Sequence, residues 1–334
     1  MVLLLLVFTA AVFTFEVTKA AELDTGELVL PGKSDKTATI DLSSPKPTVE
    51  QSVTNLKSDD IAQSSGIPKE ITSNKLENDI RNILKNEPGL YSIAYQNTDS
   101  KNKLTINPKK MPAASVIKLF IMIETYNQII EGRINENDKI SLTSTMKVGG
   151  TGSLSGRKDG TVLTIDQLIN LMITQSDNTA ANILIDRLTM DQINKTANKL
   201  GCLDTIIQRK MMDFKAQNEG KDNFTSVEDL STILMKIYAN KCLGEKYDQK
   251  MIEILKQQEN KTKIPRLLPA GTVVAHKTGE LDRVENDTGI IFTNEGVYLL
   301  CILSDDVEAD KARMVIAKVS RIVYDYIVSE TKFP

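Results

Sequence analysis

Pro112-Ala113-Ala114-Ser115-Val116-Ile117-Lys118-Leu119-Phe120-Ile121-Met122-Ile123 sets one serine and one lysine at the head of an otherwise apolar run. Such a run predicts a helix buried on most sides. Ser115 falls in its first turn, where unpaired N–H groups and the helix dipole favour developing negative charge. Lys118 follows three residues later and shares its face. A lysine in apolar surroundings is costly to charge, and one with a lowered pKa is a base for a neighbouring hydroxyl. The same residues also read as a serine cap followed by a lysine that snorkels to solvent. S-x-x-K occurs six times in the chain, so the tetrapeptide decides nothing without what stands downstream.

Two further triplets, each occurring once, stand downstream. Ser176-Asp177-Asn178 begins 61 residues after Ser115, and Lys277-Thr278-Gly279 begins 162 residues after it. The first lies between two predicted helices, Ile165 to Thr174 and Ala180 to Leu188. There Ser176 is placed to relay a proton, and the Asn178 amide to hold both Lys118 and a substrate carbonyl; helix capping is the plainer alternative. The second triplet is expected to end a strand, Thr272 to Ala275. Lys277 and the Thr278 hydroxyl suit a substrate carboxylate, and Gly279 lets a ligand lie close to the backbone. The backbone N–H of Glu280, with that of Ser115, would form an oxyanion hole. The lone histidine, His276, sits beside Lys277 but on the opposite face of a strand, and is read as structural. A Ser-His-Asp hydrolase would also need a G-x-S-x-G elbow, and Gly152-Ser153-Leu154-Ser155-Gly156 has the wrong phase.

Working outward, Leu76, Ile80, Ile83 and Leu84 mark an amphipathic helix. Leu90 to Asn97 and Lys103 to Asn107 read as a hairpin. The chain is then mostly helical to about Gln257. Strands return at Thr272 to Thr278, Thr288 to Thr293 and Val297 to Leu303, before a final helix from about Glu308 to Ser329. The expected fold is therefore α/β in the α+β sense: one antiparallel sheet built from both chain ends, flanked by helices, beside an all-α subdomain. A cleft between the two is the natural ligand site.

The apolar run from Val2 to Phe15, followed by Thr18-Lys19-Ala20-Ala21, suits an export signal or anchor over residues 1–21, although no basic residue precedes it. Residues 22–74 are polar and proline-containing and read as a disordered tether. The catalytic domain is expected over 75–334. The protein would be extracellular or held at the cell envelope, with membrane contact only through that N-terminal segment. The net charge of −3 leaves no footprint for nucleic acid. One histidine and three distant cysteines, Cys202, Cys242 and Cys301, give no metal set, and no phosphate-cradling loop is present. No cofactor is expected, and the protein is expected to be a monomer. The cysteines read as free thiols, with a Cys202–Cys242 bridge as the alternative.

The three motifs, their order and the run Ser176-Asp177-Asn178-Thr179-Ala180-Ala181-Asn182 resemble the class A β-lactamases of the penicillin-recognising serine superfamily. The resemblance covers about residues 75–330. It implies that Ser115 is the acylated nucleophile, Lys118 its general base and Ser176 a proton shuttle. Asn178, Lys277, Thr278 and Gly279 would bind a β-lactam or a peptidoglycan-like substrate. One departure stands out. The family's E-x-x-L-N motif, whose glutamate activates the deacylating water, is missing. The corresponding stretch reads Arg209-Lys210-Met211-Met212-Asp213-Phe214-Lys215-Ala216. Asp213 is the nearest carboxylate, with Glu219 beyond; a salt bridge from Asp213 to Arg209 or Lys210 is its structural alternative. Acylation followed by slow deacylation is expected. A D-Ala-D-Ala peptidase-like penicillin-binding protein, an esterase, and a non-catalytic sensor are the competing readings.

Overall fold

The structure is a computed structural model that describes residues 69–100 and 102–330. The expected signal and nearly all of the expected tether lie outside the described residues. Helix α1 (Lys69–Leu84) begins ahead of residue 75, and buries Leu76 and Ile80. Strands β1 (Leu90–Asn97) and β2 (Lys103–Ile106) form the first hairpin. The helical block holds α2 (Lys118–Ile130), α3 (Ile165–Thr174), α4 (Asn178–Leu188), α5 (Met190–Lys199), α6 (Phe214–Asn218), α7 (Val227–Tyr238) and α8 (Glu245–Lys256). The chain then returns as β3 (Val273–Leu281), β4 (Val284–Thr293) and β5 (Gly296–Asp305), and closes with α9 (Ala309–Glu330).

These five strands make one antiparallel sheet in the order β2-β1-β5-β4-β3. Alternation along the strands divides the apolar residues between its two faces. Ile93, Tyr95, Tyr298, Leu300 and Ile302 pack with α1 and α9, whereas Ala94, Leu299, Cys301 and Leu303 join the core of the helical block. Burial on both faces explains why β5 reads as a continuous apolar run.

The sheet is longer than expected where the chemistry lies. β3 runs past Thr278 to Leu281: all of Lys277-Thr278-Gly279 sits within it, and pairing with β4 continues residue by residue from Val273↔Phe292 to Leu281↔Val284. The residues that conceal this extension are mostly polar, His276 to Glu280 opposite Glu285 to Gly289. Strand preference there is overridden by buried side-chain bonding. His276 Nδ1–H donates to Asp287 at 2.9 Å, both fully buried, and Ile264 N donates to the same carboxylate at 3.0 Å. The contact with His276, the nearby Lys263 and the bond from Ile264 hold Asp287 below the usual carboxylate range despite its burial. His276 is thus bonded within the sheet, away from the partners of Lys277. The three cysteines are free thiols.

Candidate active site

Ser115 does not open α2 itself. It lies in a 3-10 turn, Ala114–Ile117, and Lys118 is the first residue of α2. The turn is entered through Ala114 at φ 47°, a left-handed conformation that costs a non-glycine residue on the order of 1 kcal/mol or more. The approach is held from two sides. Asn286 Nδ2 donates to Pro112 O and Ala113 O at 2.9 and 3.2 Å, and Ala113 N donates to Asn223 O at 2.9 Å. Behind it runs β3 at Gly279, where a Cβ would stand 3.1 Å from Ala113 O, Ala114 Cβ and Ser115 N. The glycine in K-T-G therefore lets the strand lie against the nucleophile's backbone without crowding it.

Lys118 is fully buried, and its Nζ donates to Ser176 O at 2.7 Å, Asn178 Oδ1 at 2.8 Å and Ser176 Oγ at 3.2 Å. Desolvation first, and the charge of Lys277 second, hold its pKa well below the ordinary lysine value. Lys277, also fully buried, approaches Ser176 Oγ from the other side at 3.0 Å and donates to Thr278 O at 2.7 Å. Burial and then the neighbouring Lys263 lower its pKa to about 7. The Ser176 hydroxyl thus lies between two amines, each of which is cheap to leave uncharged.

The capping alternative for Ser176-Asp177-Asn178 turns out to be compatible with a site. Asp177 is the cap of α4: its Oδ1 accepts from Ala180 N at 2.9 Å and its Oδ2 from Leu154 N at 2.8 Å. That leaves Ser176, at φ 56°, and Asn178 to face Lys118. A loop the sequence reading passed over clamps this triplet. Thr151 Oγ1 donates to Ser176 O at 2.7 Å, Asn178 N donates to Thr151 O at 3.1 Å, and Asn178 Nδ2 donates to Gly149 O at 3.1 Å. At Gly150, φ 84°, a Cβ would stand 2.5 Å from Asn178 Nδ2. Three glycines within Gly149 to Gly152 were the available signal.

Ser115, Ser176, Asn178, Thr278 and Glu280 line a cleft of about 450 Å³. Its far wall holds Met211, Met212 and Phe214, but Asp213 is not among the lining residues. Asp213 instead caps α6, its Oδ1 accepting from Ala216 N at 3.0 Å. Nor does it take the expected salt bridge: Arg209 pairs with Asp222 at 2.8 Å, and Lys210 pairs with Asp186. A short helix starting at Phe214 needs a cap, and an aspartate one residue before it supplies one. The carboxylates that do line the cleft are Asp222, Glu259 and Glu280, and all three already accept hydrogen bonds, from Arg209, Gln175 and Asn260.

The sequence model of the Beta-lactamase enzyme family matches residues 75–327, which span this whole arrangement. The chain belongs to that family. Among curated relatives, β-lactamase VEB-1 of Pseudomonas aeruginosa is 25% identical over 268 residues, covering 75% of this chain and 90% of VEB-1. Among solved structures, the β-lactamase of Sphaerobacter thermophilus is 26% identical at a TM-score of 0.72, covering 76% of this chain and 97% of that one. PBP-A is 27% identical at a TM-score of 0.71, covering 76% and 96%, and a mutant of it has been solved as an acyl-enzyme complex with penicillin G. The β-lactamase fold accounts for the sheet from both chain ends and for the adjoining helical block.

Proposed function

We propose that this β-lactamase-family protein is a serine hydrolase that is acylated at Ser115 by β-lactams and opens their cyclic amide. The observation that carries the reading is the buried Lys118 amine, held against Ser176 and Asn178 beside the cleft that Ser115 lines. Uncharged, Lys118 takes the Ser115 proton as Oγ attacks the lactam carbonyl carbon. The carbonyl oxygen becomes the oxyanion, facing the N–H groups of Ser115 and Glu280. When the C–N bond breaks, the Ser176 hydroxyl protonates the leaving nitrogen and recovers a proton from a flanking lysine. Lys277 and Thr278 hold the substrate carboxylate, with Gly279 keeping the strand close, and Asn178 orients the acyl side chain.

Release is the slow half of this scheme. General-base assistance is worth on the order of 10²- to 10⁴-fold. The wall where a water would have to be activated is Met211, Met212 and Phe214, with Asp213 engaged as a cap. That apolar wall favours a long-lived acyl-enzyme, and with it the second reading, a penicillin-binding or sensor protein built on the same fold. Export on the apolar segment from Val2 to Phe15 and a monomeric state complete the proposal; among the described residues no helix is long and apolar enough to cross a membrane.

Intact-protein mass followed over time after mixing with benzylpenicillin, with Ser115→Ala as control, tests both halves. An adduct on the wild type that decays over many minutes to hours supports the scheme. Absence of any adduct together with unopened penicillin would overturn it.

A further inference from the structure

We infer that Lys263 is a positioning residue for the oxyanion hole, acting through the peptide that joins Gly279 to Glu280. The inference rests on the assignment of Glu280 N–H as an oxyanion donor in the proposed function. Lys263 immediately precedes the 3-10 turn Ile264–Leu267, is fully buried, and is absent from the three motifs. Its Nζ donates to Gly279 O at 2.9 Å and to Asn286 O at 3.1 Å, bridging β3 and β4 at a directly paired position. Two carboxylates balance the charge, Glu285 at 2.6 Å and Glu280 at 3.2 Å, and Arg313 backs Glu285 at 2.8 Å.

The carbonyl that Lys263 grips and the N–H of Glu280 belong to one peptide group. No described peptide bond is cis, so the oxygen and the hydrogen of that group point in opposite directions. Holding the oxygen on Lys263 therefore fixes where the hydrogen points. A cationic donor on the oxygen also pulls charge through the amide and makes its N–H a stronger donor, because chained hydrogen bonds polarise one another. The Glu280 carboxylate returns to the same lysine, so residue 280 is restrained through both its backbone and its side chain. A buried cation among carbonyls and two carboxylates is expensive to maintain for stability alone. Its charge also bears on Lys277, whose pKa it helps to depress.

The test compares the wild type with Lys263→Met, with Lys263→Arg, and with the double variant Lys263→Met/Glu285→Gln. The double variant also neutralises Glu285, the buried carboxylate that keeps only Arg313 once Lys263 is gone, and serves if Lys263→Met fails to fold. Each is acylated with benzylpenicillin carrying ¹³C at the lactam carbonyl, and the ester carbonyl of the acyl-enzyme is read by isotope-edited infrared difference spectra. Weaker hydrogen bonding to that carbonyl moves its band to higher frequency. The expected result is an upward shift in the Met variants, partial return in Lys263→Arg, and an acylation rate constant lower by roughly tenfold with little change in pre-acylation affinity. An unchanged band in folded, acylated variants overturns the inference, even if the rate falls, because a merely structural role would slow the reaction without touching the carbonyl. If the wild type itself forms no ester at Ser115, the reading of the site fails and this inference falls with it.

Discussion

The Asn182 carboxamide closes on the backbone of Met211 at both ends: Nδ2 donates to Met211 O at 3.0 Å, and Met211 N donates to Oδ1 at 2.7 Å. Both bonds are buried, and together they join α4 to the wall of the cleft facing Ser115. Asn182→Ala strands two buried backbone groups, so unfolding free energy should fall by about 1–3 kcal/mol, read as a lower denaturant midpoint at constant slope. Acylation of Ser115 should slow in parallel, since the wall loses its anchor.

The same clasp makes residue 211 a fixed point on the wall. Met211 is buried, and it is one of the residues that line the cleft. Met211→Glu would add a carboxylate where none lines that wall. The acyl-enzyme lifetime, followed by mass, should shorten by on the order of 10²-fold or more. An adduct that persists unchanged would show that slow release has another cause than the missing base.

Lys277 gives the reaction an alkaline limit. Its pKa is lowered to about 7, so its charge is present below that value and is lost as pH rises through it. The second-order acylation rate constant for a penicillin bearing a free carboxylate should therefore decline above about pH 7. The methyl ester of the same penicillin has no carboxylate to anchor and should show no such decline. Stopped-flow acylation across pH 6 to 9 compares the two.

Gly279→Ala should damage acylation more than stability. The added methyl would meet Ala113 O, Ala114 Cβ and Ser115 N at 3.1 Å, and two of these are backbone atoms that cannot swing aside. A small displacement of the nucleophile is enough to lower the acylation rate by roughly tenfold or more, while the protein remains folded. Circular dichroism and the rate of penicillin adduct formation separate the two effects.

Elements whose burial follows one period were legible from the chain alone. Ile165 to Thr174 and Leu90 to Asn97 came out residue for residue, because their apolar positions report directly which faces are covered. The middle of the sheet was concealed by its own chemistry. His276, Lys277, Asn286 and Asp287 are polar, and only tertiary bonding makes a strand of them. In the candidate site, spacing and residue type pointed to Ser115, Lys118, Ser176 and Lys277, which the fold gathers: both amines reach Ser176 Oγ, and Ser115 lines the same cleft as Ser176. Nothing local marked Lys263, since its partners at Gly279, Glu280 and Glu285 come from a hairpin that the sequence reading broke in two. Asp213 was misplaced for the converse reason: a carboxylate near the right position looked chemical, and the short helix after it needed a cap.

The order of the sheet has a temporal meaning. β1 is paired with β5, and the strand carrying Lys277 reaches the rest of the sheet only through β4. During synthesis Ser115 emerges 162 residues ahead of Lys277, and the strand that bonds to β1 follows later still. Long-range pairing of this kind is slow to form. A chain stalled before Asp305 would carry its serine, its helical block and no working site. Covalent capture of a fluorescent penicillin would accordingly label only molecules whose C-terminal hairpin has docked, which makes the acylation reaction a clock for the last step of folding.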